Sequence, residues 1–507
     1  MDLTQLIRTR DDGTGRAKRT LSIVFGTTEI APFAKTGGLG DVSASLPRAL
    51  ADRGHRVTIV TPLYKHLNPE KMRLARRLKP LEVPRKGKSA DVAEVVLWEM
   101  NLSDGVRIVF LDFEEYFGRD GLYGYDDKGF EDNAARFAFF SRALVEFVRY
   151  SNMNADVLHL NDWHTALAPL YIKQYYKTEF KNVSTVLTIH NLAFQGEFDL
   201  KDADQTGLTK TAIKAATHDG KLNFLKSGID LADKVTTVSP TYADEIKTEA
   251  GGCGLDKELS ARKTDLVGIL NGADTGIWSP SVDQYIEVRY DIATLNGKRR
   301  NKAQLQHDFG LPVRPVLPIV AFVGRFTEQK GIDVLITAVR KLLKDNDDER
   351  GAFQFVALGE GDKKLEKAAE KLASEFPKRV AVHIGYSEEL AHRIIAGSDI
   401  LALPSRFEPC GLTQIYAMRY GTLPLVHRTG GLADTVKDAD VENGSGFVFG
   451  DFSRTEIIKT IERAVNRYHH HRQWRPLMVT AMEQDFSWSR SARAYDETYL
   501  GALGFAE

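Results

Sequence analysis

The chain has 507 residues, which is too long for one ordinary hydrophobic core, and its 43% hydrophobic and 27% charged residues suit a globular protein. Its 68 basic and 69 acidic side chains give a net charge of -1, a balance that gives no support for nucleic acid or a membrane surface as the main partner. No apolar run approaches the roughly 18 residues of a membrane helix. We therefore expect two large domains, and a local cluster of cations wherever an anionic substrate binds.

The chain start and the cysteines indicate the compartment. Residues 1–19 mix acidic and basic side chains without an apolar segment, so we interpret them as a flexible tail rather than a signal or transit peptide. The two cysteines, Cys253 and Cys410, cannot build a disulfide framework or a four-cysteine zinc site, and we expect reduced thiols. These features favour the cytoplasm.

In the first half, short apolar runs alternate with amphipathic stretches, which is typical of a parallel α/β fold. The predicted strands are Leu21–Phe25, Arg56–Val60, Val106–Leu111, Val157–Leu160, Ser184–Ile189 and Lys234–Val238. Helices are predicted between them, among them Val42–Asp52, Asp132–Tyr150 and Thr165–Tyr176. The strands are rich in Val, Ile and Leu, as strands covered on both faces should be.

A second series of the same kind begins near Pro318. Its predicted strands are Ile319–Val323, Phe353–Leu358, Val380–Ile384, Ile400–Leu403 and Leu423–Val426, with helices over Asp333–Leu343 and Gln414–Tyr420. We infer two Rossmann-like domains of α/β class, residues 20–273 and 274–485, which meet near Ile269–Asp274. Residues 486–507 are predicted as a helix that crosses back to the first domain. Two such domains can direct the loops beyond their strands into one cleft.

The loop Lys35–Asp41 lies between the first strand and the first helix and holds three glycines and a lysine. Backbone N–H groups and a cation in that position can bind a phosphate. The loop matches neither Gly-x4-Gly-Lys-Ser/Thr nor Gly-x-Gly-x-x-Gly. A glycine-rich turn in the left-handed conformation accounts for it equally well.

Two loops of the second half carry charge. Arg325 and Lys330 follow the strand Ile319–Val323 and could take up charge on a departing diphosphate without a metal, although solvated loop cations are the commoner case. Glu408 lies between two prolines, where a stiffly held carboxylate suits the orientation of sugar hydroxyls. The residues after it offer N–H groups at a helix N-terminus. A surface glutamate in a turn is the alternative.

Polar loops also follow two strands of the first half, His159–Thr165 and Thr188–Asn191. Polar side chains together with Trp163 fit carbohydrate, and a core tryptophan is the alternative. The histidines of these loops lack compact ligand spacing, so no metal is expected. Two Asp-x-Asp motifs, Asp202–Asp204 and Asp438–Asp440, follow no strand and are interpreted as solvated turns.

Together these motifs resemble those of bacterial glycogen synthases and plant starch synthases, GT-B glucosyltransferases of the family 5 type. The resemblance spans about residues 20–490 and rests on Lys35–Asp41, Asn161–Thr165, Ile189–Gly196, Val238–Ala243, Asn271–Asp274, Gln329–Gly331, Arg406–Leu412 and Thr429–Thr435. The family often has serine where Thr28 stands, tyrosine where Phe194 stands, and isoleucine or valine where Ala273 stands.

The resemblance implies two domains facing across a deep cleft, and retaining transfer of glucose from ADP-glucose to the non-reducing end of an α-1,4-glucan. It implies no metal or pyridoxal phosphate. As catalytic residues it implies His190, Arg325, Lys330 and Glu408. For donor binding it implies Lys35, Gly37, Gly38, Asn271, Tyr386, Cys410, Gly411, Leu412 and Thr413. For acceptor binding it implies Glu29, Tyr123, Asp162, Trp163 and Asn191.

Four other functions fit the sequence less well. Another GT-B transferase could use UDP-glucose or a small acceptor, which the acceptor motifs disfavour. A phosphorylase of the same architecture would need a pyridoxal lysine motif, and none is recognised. A non-catalytic glucan-binding protein would have no reason to gather three cations. A glycoside hydrolase needs two carboxylates across the scissile bond, and no such pair stands out. The nucleotide of the donor and the oligomeric state stay open.

Overall fold

The structure is a computed structural model that describes residues 9–11, 17–88, 90–125, 128–151, 153–345 and 352–505. The chain forms two compact units. The first extends to Val238, continues over Ala243–Gly272 and includes the C-terminal segment from Trp488, whereas the second consists of Ala273–Ser487 and Ser239–Tyr242. The divisions at 272/273 and 487/488 lie within two residues of the predicted positions 273/274 and 485/486, whereas the grouping of Ser239–Tyr242 with the second unit was not predicted.

The first unit is built on a ten-stranded sheet with several small strand pairs around it. In chain order its strands are β1 (Thr9–Asp11), β2 (Ala17–Arg19), β3 (Ser22–Gly26), β4 (Arg56–Pro62), β5 (Ala75–Arg76), β6 (Leu81–Lys86), β7 (Ala90–Asn101), β8 (Arg107–Asp112), β9 (Gly124–Tyr125), β10 (Lys128–Gly129), β11 (Val157–Asn161), β12 (Ser184–Ile189), β13 (Glu197–Phe198), β14 (Thr217–His218), β15 (Lys221–Asn223), β16 (Lys234–Thr237) and β17 (Leu266–Gly268). The predicted flexible tail falls mostly outside the described residues, and its described parts, β1 and β2, pair antiparallel.

Seven strands of this sheet are parallel, in the order β17-β16-β12-β11-β3-β4-β8. The first strand of the parallel set, β3, lies between β4 and β11, so successive crossovers leave it in opposite directions. Such a topological switch point opens a crevice beyond the carboxyl ends of the strands, where ligands of open α/β sheets bind. In this unit the switch point lies between β3 and β11.

The sheet of the first unit has an antiparallel extension beyond β8, which was not predicted. Strands β5 and β6 both pair with β7, which itself pairs antiparallel with β8. On β6 and β7 the buried residues Leu81, Val83 and Val95 alternate with the exposed Glu82 and Glu94. Alternation with a period of two is typical of a sheet that has one face in water. These strands therefore lack the continuous apolar run from which the other strands were predicted.

The helices of the first unit cover its sheet and connect its strands. They are α1 (Gly38–Asp52), α2 (Glu114–Phe117), α3 (Asn133–Tyr150), α4 (Ala168–Tyr171), α5 (Lys210–Ala215), α6 (Phe224–Leu231), α7 (Pro240–Glu245) and α8 (Asp256–Ala261), with a π-helix over Ile172–Tyr176 and a 3-10 helix over Leu200–Thr206. The predicted helix 165–176 begins late, because Thr165 Oγ1 bonds back to the carbonyls of Asn161 and Asp162 in a turn.

The second unit has a six-stranded, wholly parallel sheet in the order β20-β19-β18-β21-β22-β23. Its strands are β18 (Ile319–Val323), β19 (Gln354–Gly359), β20 (Val380–Ile384), β21 (Ile400–Leu403), β22 (Leu423–His427) and β23 (Phe447–Phe449). Its helices are α9 (Asn296–Asp308), α10 (Ile332–Asp345), α11 (Lys363–Glu375), α12 (Glu388–Gly397), α13 (Thr413–Arg419), α14 (Gly430–Thr435), α15 (Arg454–Tyr468) and α16 (His471–Met482), with a 3-10 helix over Glu328–Lys330. The switch point of this sheet lies between β18 and β21.

The last helix, α17 (Trp488–Ala502), packs within the first unit. Its Asp496 accepts hydrogen bonds from Arg53 Nε at 2.5 Å and from His55 Nε2 at 2.7 Å. Tyr499 Oη is 2.7 Å from His159 Nδ1. Burial opposes ionisation of Asp496, but its bonds with His55 and Arg53 outweigh burial, so the pKa of Asp496 lies below its usual value. A buried ion-paired network therefore fixes the helix to the first unit. Within the described part of the chain, no helix is long and apolar enough to span a bilayer.

We expect Asp496→Ala to lower the free energy of unfolding of the first unit by about 2–3 kcal/mol, because it leaves buried donors of Arg53 and His55 without their acceptor. The exposed neighbour on the same helix, Glu497, supplies the control variant Glu497→Ala. Differential scanning calorimetry of both variants measures the difference, and equal thermal midpoints would contradict this role of the network.

Candidate functional site

At the switch point of the first unit, Asn161 joins the ends of three neighbouring strands. Its Nδ2 donates to the carbonyl of Gly26 at 2.9 Å, and its Oδ1 lies 2.9 Å from Nε2 of His190. Gly26 ends β3, Asn161 ends β11, and His190 follows β12. The three loops that carry the predicted residues of this unit therefore start side by side.

The loop after β3 is held by Glu29, which is only 4% exposed. Its carboxylate accepts hydrogen bonds from Thr36 N and Thr36 Oγ1, both at 2.7 Å, and from Gly37 N at 3.1 Å. Tyr123 Oη donates to it at 2.8 Å. The glutamate therefore positions the glycine loop. Acceptor binding by Glu29 and Tyr123 stays a prediction.

The glycines of this loop are not in a left-handed turn. Helix α1 already begins at Gly38, and Gly37 before it has an extended φ of -162°. A Cβ at Gly37 or Gly38 would meet no described atom within 4 Å, so the space in front of both residues is open. Lys35, at the start of the loop, forms an ion pair with Asp41 at 2.7 Å. Open backbone and a nearby cation suit an anion, and the diphosphate contact of these residues stays a prediction.

The loop after β12 is held by Asp162. This buried residue has a φ of +55°, and its Oδ1 accepts a hydrogen bond from His190 N at 2.7 Å. Burial raises the pKa of Asp162 to about 7, against the opposing effect of the His190 N–H bond. Burial lowers the pKa of His190 to about 3, so its imidazole is neutral. Asp162 thus fixes the main chain of the residue predicted to lie at the reacting carbon.

Trp163 has the placement of a core tryptophan. Its ring centroid lies 4.0 Å from that of His164, which in turn stacks 4.7 Å from Tyr123. Only 9% of Trp163 is exposed, and a Cβ at Gly196 would lie 2.4 Å from its ring. Its position is therefore that of a core tryptophan, the alternative given above to a carbohydrate contact. Acceptor binding by Trp163 stays a prediction.

The predicted histidines do not form a metal-binding group. His159 is buried and bonds with Tyr499 and Thr188, whereas His164 stacks on rings and His190 bonds to Asn161. Across the described residues, no group of three or more histidine, cysteine, aspartate or glutamate side chains is arranged to hold a metal.

At the switch point of the second unit, the loops after β18 and β21 meet through a partly buried ion pair. Lys330 Nζ lies 2.5 Å from Oε2 of Glu408, which also accepts a hydrogen bond from Ser405 Oγ at 2.9 Å. Glu408 is 7% exposed and so is not a surface glutamate. Gly331 has a φ of +70°, and a Cβ there would lie 1.9 Å from the carbonyl oxygen of Pro404. Glycine is needed after Lys330 because the two loops approach this closely.

A second link between these loops, the pair of Arg406 and Asp333, was not predicted. The guanidinium binds both carboxylate oxygens, with Nη1–Oδ1 at 2.9 Å and Nη2–Oδ2 at 2.7 Å. The backbone N of Arg406 also donates to the carbonyl of Gln329 at 2.8 Å. Arg406 lies two residues from Glu408, and Asp333 three residues from Lys330. A bidentate pair of this kind fixes orientation as well as distance. No sequence signal reveals it, because the partners are far apart along the chain.

The segment after Glu408 lies against two glycines at the start of α14. Gly431 N donates to the carbonyl of Glu408 at 3.0 Å, and a Cβ at Gly430 would lie 2.0 Å from that same oxygen. A Cβ at Gly431 would lie 2.1 Å from the carbonyl oxygen of Cys410. The motif at 429–435 therefore supports the loop of Glu408. Beyond Cys410, Gly411 has a φ of +71°, Leu412 is the N-cap of α13, and Thr413 is its first residue.

Three further predicted residues lie apart from these networks. Arg325 is exposed, and its side chain makes no hydrogen bond or ion pair within the described chain. Tyr386, in the loop after β20, is 69% exposed. Asn271, at the end of the first unit, is buried, and its Oδ1 has no hydrogen-bond partner among the described residues. An exposed cation and an exposed ring beside the strand ends of the second unit are available to a ligand.

Comparison with known proteins identifies the family of this chain. The family model for the starch synthase catalytic domain matches residues 22–261, and the glycosyl transferases group 1 model matches residues 306–476. A glycogen synthase of Anaeromyxobacter sp. (strain Fw109-5) is 43% identical over 94% of this chain and 99% of its own length. A glycogen synthase of Bacillus cereus (strain B4264) is 40% identical over 95% of this chain and its full length.

Two solved structures share the architecture. The catalytic domain of starch synthase IV from Arabidopsis thaliana, bound to ADP and acarbose, has a TM-score of 0.85 and 32% identity, over 96% of this chain and all of that one. A sucrose-phosphate synthase from Thermosynechococcus elongatus has a TM-score of 0.59 and 18% identity, over 96% of this chain and 99% of its own, and so supports the fold alone.

Two parallel α/β units with their loops gathered at the switch points define a glycosyltransferase of the GT-B fold. The chain belongs to the glycogen synthase family, which includes the starch synthases. Both the fold and the family expected from the motifs are confirmed.

We expect Arg406→Lys to lower kcat/KM for glucosyl transfer about tenfold, because lysine cannot replace the bidentate contact with Asp333. The thermal midpoint should change little, since the pair is partly exposed. The control is Arg340→Lys, which alters the exposed pair of Arg340 with Glu375 on α10 and α11. Steady-state kinetics of both variants make the comparison, and equal activities would show that the pair does not position the site.

Proposed function

We propose that this glycosyltransferase transfers glucose from ADP-glucose to the non-reducing end of an α-1,4-glucan such as glycogen, with retention at C1. The observation that carries the proposal is the partly buried pair of Lys330 and Glu408 at the switch point of the second unit. Support for the adenine nucleotide comes from the similar starch synthase IV domain, which binds ADP. Because the two cysteines are expected to be reduced thiols, we place the reaction in the cytoplasm.

The donor binds to the second unit in this proposal. Lys330 and the exposed Arg325 contact the diphosphate and stabilise the negative charge that grows as the sugar–phosphate bond opens. Glu408 neutralises Lys330 in the absence of donor, and its second oxygen accepts hydrogen bonds from glucose hydroxyls. The N–H groups of Leu412 and Thr413 assist at the start of α13. Side-chain cations supply the charge, and neither a metal nor a cofactor takes part.

Other donor contacts follow from the family resemblance. Tyr386 stacks on the base, which its exposed ring permits. Lys35, with the open backbone at Gly37 and Gly38, contacts the diphosphate and exchanges its partner Asp41 for phosphate oxygens. Asn271 contributes through its buried, unpaired Oδ1.

The chemistry needs no second carboxylate. The bond from C1 to the phosphate oxygen breaks, and its electron pair leaves with ADP. The acceptor oxygen forms the new bond to C1 and loses its proton to the departing phosphate. The main-chain carbonyl of His190 faces the positive charge at C1. The residue is kept in place by its backbone N–H, which donates to Asp162 Oδ1, and by its imidazole Nε2, which bonds with Asn161 Oδ1. A neutral imidazole adds no opposing positive charge there.

One competition assay tests the donor. ADP-glucose and UDP-glucose are supplied together, with glycogen as acceptor, and the released nucleotide is identified. We expect ADP to predominate. Predominant UDP would contradict the donor assignment, and no transfer to glycogen from either donor would contradict the proposed reaction.

We expect Lys330→Ala and Glu408→Ala each to lower kcat at least about a hundredfold, the scale seen when a preorganised electrostatic partner is lost. The control Lys341→Ala removes an exposed lysine of α10 and should leave kcat unchanged. Single-turnover measurements with ADP-glucose and glycogen separate the chemical step from binding. Near-normal transfer by either variant would overturn the site assignment.

A further inference from the structure

The loop His190–Gly196 is anchored at both ends. At its start, His190 bonds to Asp162 and Asn161. At its end, Gln195 Nε2 donates to the carbonyl of Cys253 at 2.8 Å, and Gln195 Oε1 accepts from Asn223 Nδ2 at 2.6 Å. The loop therefore has little freedom to move its side chains elsewhere.

The middle of the loop is also ordered by its own hydrogen bonds. Asn191 Oδ1 accepts from Ala193 N at 3.0 Å, and the carbonyl of Asn191 accepts from Phe194 N at 3.2 Å. Leu192 turns inward and is wholly buried. The resulting turn directs the next large side chain, Phe194, outward.

Phe194 is 55% exposed, although buried rings lie close by in sequence. Trp163, Phe198 and Phe224 pack together, with centroid separations from 4.9 to 6.3 Å. Phe194 makes no ring contact with any described residue. A single exposed ring is common on protein surfaces, but one held by an anchored loop presents a fixed apolar face that a ligand can cover.

We propose that Phe194 is a stacking platform for a glucose unit of the acceptor chain, next to the unit that receives the new glucose. This inference rests on the proposed function. A pyranose presents a C–H face that packs on an aromatic ring, whereas its hydroxyls need polar partners. The ring stands three residues after Asn191 and four after His190, the residues assigned to the acceptor and the reacting carbon. Because glucan is uncharged, an aromatic platform suits it better than the cations of the second unit.

The test measures acceptor and donor separately in Phe194→Ala, Phe194→Tyr and the wild type. We expect Phe194→Ala to raise the KM for maltoheptaose about fivefold to tenfold, as for loss of one aromatic stacking contact. The KM for ADP-glucose and kcat at saturating acceptor should stay within about twofold of the wild type. Phe194→Tyr keeps the ring and should keep the KM for maltoheptaose.

The control is Leu200→Ala, which removes another exposed apolar side chain of the first unit, 45% exposed. It should leave both KM values unchanged. An unchanged KM for maltoheptaose in Phe194→Ala, or an equal rise in Leu200→Ala, would overturn the inference.

Calorimetric titration of maltoheptaose without donor separates this inference from the proposed function. Binding that weakens in Phe194→Ala and persists in Phe194→Tyr supports the platform. Equal binding by wild type and Phe194→Ala overturns the platform and leaves the proposed function standing. If the wild type neither binds maltoheptaose nor transfers glucose to it, both the platform and the proposed function are wrong.

Discussion

The ion pair of Lys330 and Glu408 is the interaction on which the second unit's site depends. Two charges taken out of water lose hydration, and their attraction repays that loss only with good geometry and further hydrogen bonds. Here the geometry comes from the surrounding loops. Ser405 donates to Glu408, Gly331 lets the loops approach, and Arg406 with Asp333 joins them a second time. Two apolar residues in place of Lys330 and Glu408 would stabilise the fold equally well. The presence of two charged side chains here therefore points to a function.

The first unit uses buried carboxylates differently. Glu29 and Asp162 accept hydrogen bonds from main-chain N–H groups, the first from Thr36 and Gly37, the second from His190. Such bonds fix the backbone of a loop directly, and Thr36 Oγ1 adds a side-chain bond to Glu29. Both carboxylates therefore position loops that carry groups predicted to bind substrate, the glycine backbone after β3 and the main-chain carbonyl of His190. Their predicted direct contact with the acceptor is compatible with this role, although it stays a prediction.

Much of the fold and part of the site could be predicted. The eleven predicted strands were found nearly to their ends, because a short, continuous Val/Ile/Leu run between turn residues is typical of strands buried on both faces. The short edge strands β17 and β23 were missed. Strands β6 and β7 were missed, because their one-sided burial gives an alternating pattern among many charges. Arg406 belongs to a recognised motif but was given no role, because its partner Asp333 lies on another loop. Packing places Trp163 almost wholly inside, which the sequence left open, and its contact with carbohydrate stays a prediction.

The sequence by itself determined the class of fold and the family. Apolar periodicity is a local property, and the motifs are specific in combination. Which groups face each other was decided only by the tertiary structure. The open glycines at 37 and 38, the burial of Glu408 and the exposure of Phe194 all depend on segments distant along the chain. The physical reason is that burial and hydrogen-bond geometry depend on which groups lie close together in space. The order of residues along the chain does not show directly which groups those are.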